Sequence, residues 1–119
     1  MATESAHLAK AEANQRFLDR IEDEFADWMA IVAFYKGVHL IEAMLAGRSI
    51  HSHNHNQRNS RLKKEYPHIW KNFRPLFHAS KLLRYTDHRI SVQTVRNELI
   101  ATRLQPLESQ VRREMAGSE

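Results

Sequence analysis

ADWMAIVAFYKGVHLIEAMLAG, residues 26–47, is the stretch on which the fold turns. It is apolar nearly all round, with Lys36, His39 and Glu42 as the interior exceptions. A helix without a wide polar face belongs in the middle of a bundle, where neighbours cover every side. At 1.5 Å per residue it spans about 31 Å, the height of a small domain. Gly47 predicts its end, because glycine accepts the left-handed conformation that follows many helices. Gly37 costs a helix interior about 1 kcal/mol relative to alanine, which suits close approach of a neighbouring helix.

Amphipathic segments lie on both sides of this apolar one. Before it, Leu8, Ala11, Gln15, Leu18 and Ile21 recur at spacings of three and four, joined by Phe17 and Phe25. That pattern predicts a helix over 5–22, capped by Ser5. After it, residues 48–56 read as a polar loop, followed by a helix from near Asn56 to Glu65. Pro67 suits the first turn of the next helix, which Ile69, Trp70, Phe73, Leu76, Phe77, Leu82 and Leu83 carry to Tyr85. Pro75 predicts a kink or break near 72–74, since it removes one hydrogen bond and crowds the preceding turn. Ser91 then caps a last helix, bent at Pro106. Trp28, Trp70, Phe73 and Phe77 sit inside apolar patterns and are expected in the core rather than as base-stacking platforms.

The whole is expected to be one domain over 1–119, an all-α, antiparallel four- to five-helix bundle. With 3 Gly and 3 Pro, the chain has few turn formers for an all-β fold. The lack of Cys excludes a disulfide scaffold, a thiolate zinc site and a cysteine nucleophile. No basic segment precedes an apolar run at the N-terminus, and the stretch 28–38 is short for a bilayer, so the expectation is a cytoplasmic protein without a membrane span. The net charge of +4 is unevenly spread: residues 1–47 hold eight Asp or Glu against four Lys or Arg. The basic surplus starts at Arg48, so a polyanion would meet the later two thirds of the chain.

HSHNHNQRNSR, residues 51–61, is the most unusual stretch chemically. His51, His53 and His55 would share one side of an extended segment, whereas a helix would oppose His53 to the other two. Either way the stretch supplies two or three imidazoles, short of a closed tetrahedral zinc site without a distant ligand, so no metal or cofactor is expected. The bland reading is a polar turn beside the basic run Arg58, Arg61, Lys63 and Lys64; the sharper one is a polyanion-binding patch. Tyr35, His39 and Glu42 share a face of the apolar helix. A buried Glu42 needs a cationic partner, for which Arg58 and Arg84 are the candidates. These groups form either a polar network that fixes helix register or a cleft for a phosphate or nucleotide.

The order NQRFLDRI, DWMAIVAFYKGVHLIEAMLAG, HNQRNSRL and SKLLRY resembles the HEPN superfamily of small helical-bundle domains, over roughly residues 8–112. The resemblance implies a bundle that often forms homodimers. It also implies one of two activities: a metal-independent endoribonuclease of a toxin–antitoxin or defence system, or an inactive relative that binds RNA, a nucleotide or a nucleotidyltransferase partner protein. Active members carry an Arg followed, after four to six intervening residues, by a His. There, imidazole moves protons near neutral pH while guanidinium stabilises phosphate charge. Here Arg48 stands at that spacing from His53 and His55, as Arg61 does from His68, but so many Arg and His give about two to three such pairs by chance. Arg58-Asn59 and Arg96-Asn97 have the polar residue that follows the catalytic Arg, without a His at the right distance. The expected catalytic set is therefore His53 or His55 with Arg48 or Arg58, and the expected binding set is Tyr35, His39, Glu42, Arg61, Lys64 and Arg84. A purely structural, dimeric interaction module is the third reading.

Overall fold

The computed structural model describes residues 2–117, and the protein is all-α: five helices with no strand among the described residues. Helix α1 (Glu4–Leu18) runs antiparallel to α2 (Ala26–Ala46), joined by a short 3-10 turn, Asp23–Phe25. Helices α3 (His55–Glu65) and α4 (Pro67–Tyr85) follow with only Tyr66 between them. The last helical segment, α5, covers 92–117. Helix α2 is central, packed against α1, α4 and α5. Fifteen of its residues are buried, among them Phe34, Leu40, Ile41, Met44 and Leu45. Burying an apolar side chain of this size contributes about 1.5–3 kcal/mol, which is why so apolar a helix takes the middle position. By length and composition, 23–46 would also suffice to cross a membrane, longer than the 28–38 stretch suggests, but 78% of its apolar window faces the other helices.

Gly37 lies at a tight crossing. A Cβ there would meet Leu107 Cδ2 at 3.2 Å and the Phe73 ring at 3.5 Å, so α4 and α5 both pack onto the bare backbone. Lys36, only 7% exposed, ties three helices at the same level. Its Nζ donates to Gln15 Oε1 of α1 and to Glu108 Oε1 of α5, each at 2.7 Å.

Several boundaries differ from the sequence reading, each for a local reason. Thr3, not Ser5, caps α1, its hydroxyl accepting from the Ala6 N–H at 3.2 Å. The helix stops at Leu18 rather than residue 22, and Ile21 reaches the core from the turn instead. Gly47 stays right-handed at φ −62°. The left-handed residue is Ser49, φ 60°, and around it the Ser49 and Ile50 N–H groups donate back to the Ala46 and Leu45 carbonyls at 2.9 Å. That is the double closure of a helix with its turn residue two places later than expected. Trp28 is 59% exposed and Phe17 and Phe25 are also exposed, so this aromatic end of the α1–α2 hairpin lies outside the core; Phe73 is fully buried, and Trp70 and Phe77 are half-buried.

The prolines are absorbed differently. Helix α4 continues unbroken through Pro75. The missing N–H leaves the Lys71 carbonyl, and Arg103 Nη1 from α5 reaches it at 3.5 Å, the long end of a hydrogen bond. In α5, residues Val95–Leu104 wind as a π-helix, with the Gln105 N–H donating to Ile100 five residues back. An α-helical turn would press the Pro106 ring onto the Thr102 carbonyl, and the wider winding ends just before it. Ser91 caps this segment as the sequence indicates, accepting from the Thr94 N–H at 3.2 Å.

Candidate functional site

The histidine loop is held from below by α3. Asn54 is its cap, Oδ1 accepting from the Gln57 N–H at 2.8 Å, and Gln57 Oε1 accepts in turn from the His53 N–H at 2.7 Å. His51 and His53 therefore stay in the loop while His55 becomes the first residue of the helix. The α3 N-terminus, with its partial positive charge, points between two hollows.

The larger hollow, about 550 Å³, is lined by His7, His39, His51, His53 and His55 together with Glu42 and Arg58. His7 comes from α1, which the antiparallel hairpin lays beside α2. Its Nδ1 stands 3.1 Å from His39 Nδ1. One of these nitrogens must donate and the other accept, so the pair does not hold two protons comfortably. Burial keeps both rings below the ordinary histidine range, with His39 further depressed by His7, and with Glu42 working the other way on His7. His55 Nδ1 lies 2.5 Å from Arg58 Nη2. Arginine only donates, so Nδ1 is the unprotonated nitrogen and the neutral ring carries its hydrogen on Nε2. Packing against Phe34 and Phe77 desolvates this ring, and the Arg58 and Arg84 charges hold its pKa down further.

Arg58 is the buried cation of the site, 4% exposed, its guanidinium 5.3 Å above the Phe73 ring. Burial lowers its pKa against the opposing pull of Glu42. Glu42 Oε1 stands 3.7 Å from Nη1, so Arg58 is the carboxylate's cation as the sequence reading allowed. The Arg58 Nε finds no acceptor among the described residues. Arg84 takes a different partner, donating to the Tyr35 hydroxyl at 3.2 Å while lying against the rings of Phe34, Tyr35 and Tyr85. It lines the second hollow, about 280 Å³, with Asn54, His55, Asn56, Phe77, Lys81 and Tyr85. His55 and Asn54 line both hollows, so the two adjoin.

Of the expected residues, the structure gathers His39, Glu42, His53, His55 and Arg58 in one cleft and sets Tyr35 and Arg84 beside it. Arg48 lies elsewhere: it donates to the Tyr66 hydroxyl at 2.5 Å and to Glu114 at 3.0 Å, and it does not line the histidine cleft. Arg61 pairs with Glu65 along α3, and Lys64 is exposed; neither lines either hollow. The reading missed His7, whose place follows only from pairing α1 with α2 around a turn near residue 22. It also missed Lys81 and Tyr85, in which an apolar helical pattern hides a polar neighbour. Among the described residues no three His, Asp or Glu side chains converge as metal ligands would. What the cleft offers is a set of imidazoles, groups able to give or take a proton, beside fixed guanidinium charge. Compared with known protein families, with characterised proteins and with solved structures, neither the chain nor its fold gave a match.

Proposed function

We propose that this chain is a HEPN-like domain whose cleft binds RNA through its phosphates. The observation that supports the reading is the make-up of the two adjoining hollows. Arg58 and five imidazoles line the larger one and two cations, Lys81 and Arg84, line the smaller, against a single carboxylate, Glu42, already facing Arg58. An orphan guanidinium N–H and a helix N-terminus in the same place favour an anionic ligand. One contact favours a second reading, a metal-independent endoribonuclease. His55 and Arg58 stand together as a proton carrier and a phosphate-charge stabiliser would, in the order His-x-x-Arg rather than Arg before His.

One assay tests both: a labelled mixed RNA pool with EDTA present, using the intact protein and a His53→Ala/His55→Ala double variant. Binding by the intact protein that weakens steeply with salt, and weakens about tenfold in the variant, is expected of the RNA-binding cleft. Binding indifferent to salt, or equal in both proteins, would sink it. Cleavage by the intact protein alone favours the ribonuclease reading.

A further inference from the structure

Helix α4 has no acidic residue at all between Pro67 and Tyr85, yet Lys71, Arg74, His78, Lys81 and Arg84 follow one another at spacings of three and four. Such spacings stack side chains along one side of a helix. Elsewhere in the fold, several cations are paired. Lys36, Arg48, Arg58, Arg61, Arg96 and Arg112 each have a carboxylate partner. Among the described residues no ion pair involves Lys71, Arg74, Lys81, Arg84 or Arg103. Lys10, Arg16, Arg20, Lys63 and Lys64 are likewise outside these ion pairs; what distinguishes α4 is that its cations share one side of a helix without an acidic residue, with Arg103 crossing to it from α5.

The side of α4 holds two hollows. The one already described contains Lys81, Arg84 and Tyr85 and adjoins the histidine cleft at Asn54 and His55. The other, about 500 Å³, is lined by Pro67, Trp70, Lys71, Arg74, Pro75, His78 and Arg103, again without a carboxylate. From Lys71 to Tyr85 the helix advances about 21 Å. Tyr85 is 72% exposed, with Arg84 against its ring and the ring otherwise open to solvent. Basic side chains that track a backbone, interleaved with an exposed aromatic ring, are what a single strand of nucleic acid requires: phosphates on the cations, a base on the π-face.

We infer that α4 is a track for single-stranded RNA leading out of the histidine cleft, with a base stacked on Tyr85 and phosphates on Lys81, Arg84, Arg74, Lys71 and Arg103. The inference rests on the RNA-binding reading of the cleft and adds the class of RNA and its course. A strand long enough to lie along α4 binds much more tightly than one that fills the cleft alone. The extra affinity is electrostatic.

The test measures anisotropy of labelled single-stranded RNA of about four and about twelve nucleotides, across a salt series. It uses the whole protein, a Lys71→Gln/Arg74→Gln/Lys81→Gln variant and a Tyr85→Ala variant. Glutamine is nearly as good a helix former as lysine or arginine, and melting curves confirm that each variant is folded. The expected result is a longer RNA bound at least tenfold more tightly than the shorter by the intact protein. The triple variant loses that gain, and its salt slope becomes shallower by about 2, near 0.7 per phosphate contact. Tyr85→Ala loses several-fold on the longer RNA. Three outcomes overturn the track while leaving the cleft: equal affinity for both lengths, an unchanged slope in the triple variant, or equal competition by polyglutamate, which would assign the face to an acidic protein. Failure of the intact protein to bind either RNA overturns the cleft, and the track with it.

Discussion

Ser49 holds a backbone conformation that suits glycine, and it does so in the turn that delivers the chain from α2 to the histidine loop. A side chain at φ 60° meets its own backbone, and for a residue other than glycine, asparagine or aspartate this costs about 1 kcal/mol. The residue is exposed, so nothing else is lost on removing it. Ser49→Gly is therefore expected to stabilise the protein by roughly 0.5–1 kcal/mol in urea unfolding, without altering the slope of the transition. A destabilised variant would show that the hydroxyl has a role the geometry does not reveal. The same turn shows what a residue-level reading could see. Gly47 has the composition of a helix stop, and α2 does end beside it, but which residue turns left-handed depends on how far the last turn winds. The pairing of Glu42 with Arg58 was accessible for a firmer reason, because a half-buried carboxylate in an apolar helix has to find a cation. The pairing of His7 with His39 was not, since it joins residues 32 apart in the chain through the packing of two helices.

At the scale of elements, the apolar pattern of 26–47 was legible because an all-round apolar helix has only one place to go. Phe17, Phe25 and Trp28 were misread for the complementary reason: near a hairpin end, aromatic residues can follow helical spacing and still run past the edge of the neighbour they would pack on. The prolines were half legible. Their positions predicted disturbance, but the answer in each case lies in something distant or cooperative, the Arg103 side chain for Pro75 and a ten-residue change of winding before Pro106. Helix α1 is anchored on one side only. It rests chiefly on α2, and Ala11 and Leu18 are its only fully buried residues apart from the contact of Gln15 with Lys36. Elements with few buried contacts open locally at a cost well below that of global unfolding. Hydrogen exchange is expected to show α1 amides exchanging by such opening, while the middle of α2 exchanges only with the whole molecule. Equal protection of α1 and α2 would contradict this. Because His7 travels with α1, the cleft then loses one wall whenever the helix lifts.

For the whole molecule, the joined titrations of the cleft set a pH dependence. His7, His39 and His55 all have folded pKa values below the ordinary 6.5. Above that value the rings are neutral folded or unfolded, and the stability they leave is fully present. As pH falls below it, the unfolded chain takes up protons that the folded chain refuses, so stability declines until the folded rings titrate. The melting temperature is expected to be level above about pH 7 and to fall between about pH 6.5 and 5, with a shallower fall in His7→Gln. A level profile down to pH 5 would overturn the burial of these rings. A second decline belongs to Glu108. Burial pushes its carboxyl up, but hydrogen bonds from Lys36 and Arg112 outweigh that and leave it low, so its share of stability goes only below about pH 4.5.

The molecule also carries charges of opposite sign in different places. Residues 19–27, around the α1–α2 turn, hold five Asp or Glu against Arg20, whereas α4 has no acidic residue. An arrangement of this kind gives the molecule an electric dipole as well as a net charge. In the field of a polyanion it experiences a torque before it makes any contact, turning α4 forward and the N-terminal hairpin away. Encounter is then oriented at a distance, over about one Debye length, roughly 8 Å at physiological salt and longer in dilute buffer. The placing of an acidic turn and a basic helix in one fold thus bears on how fast a partner arrives, separately from how tightly it is held.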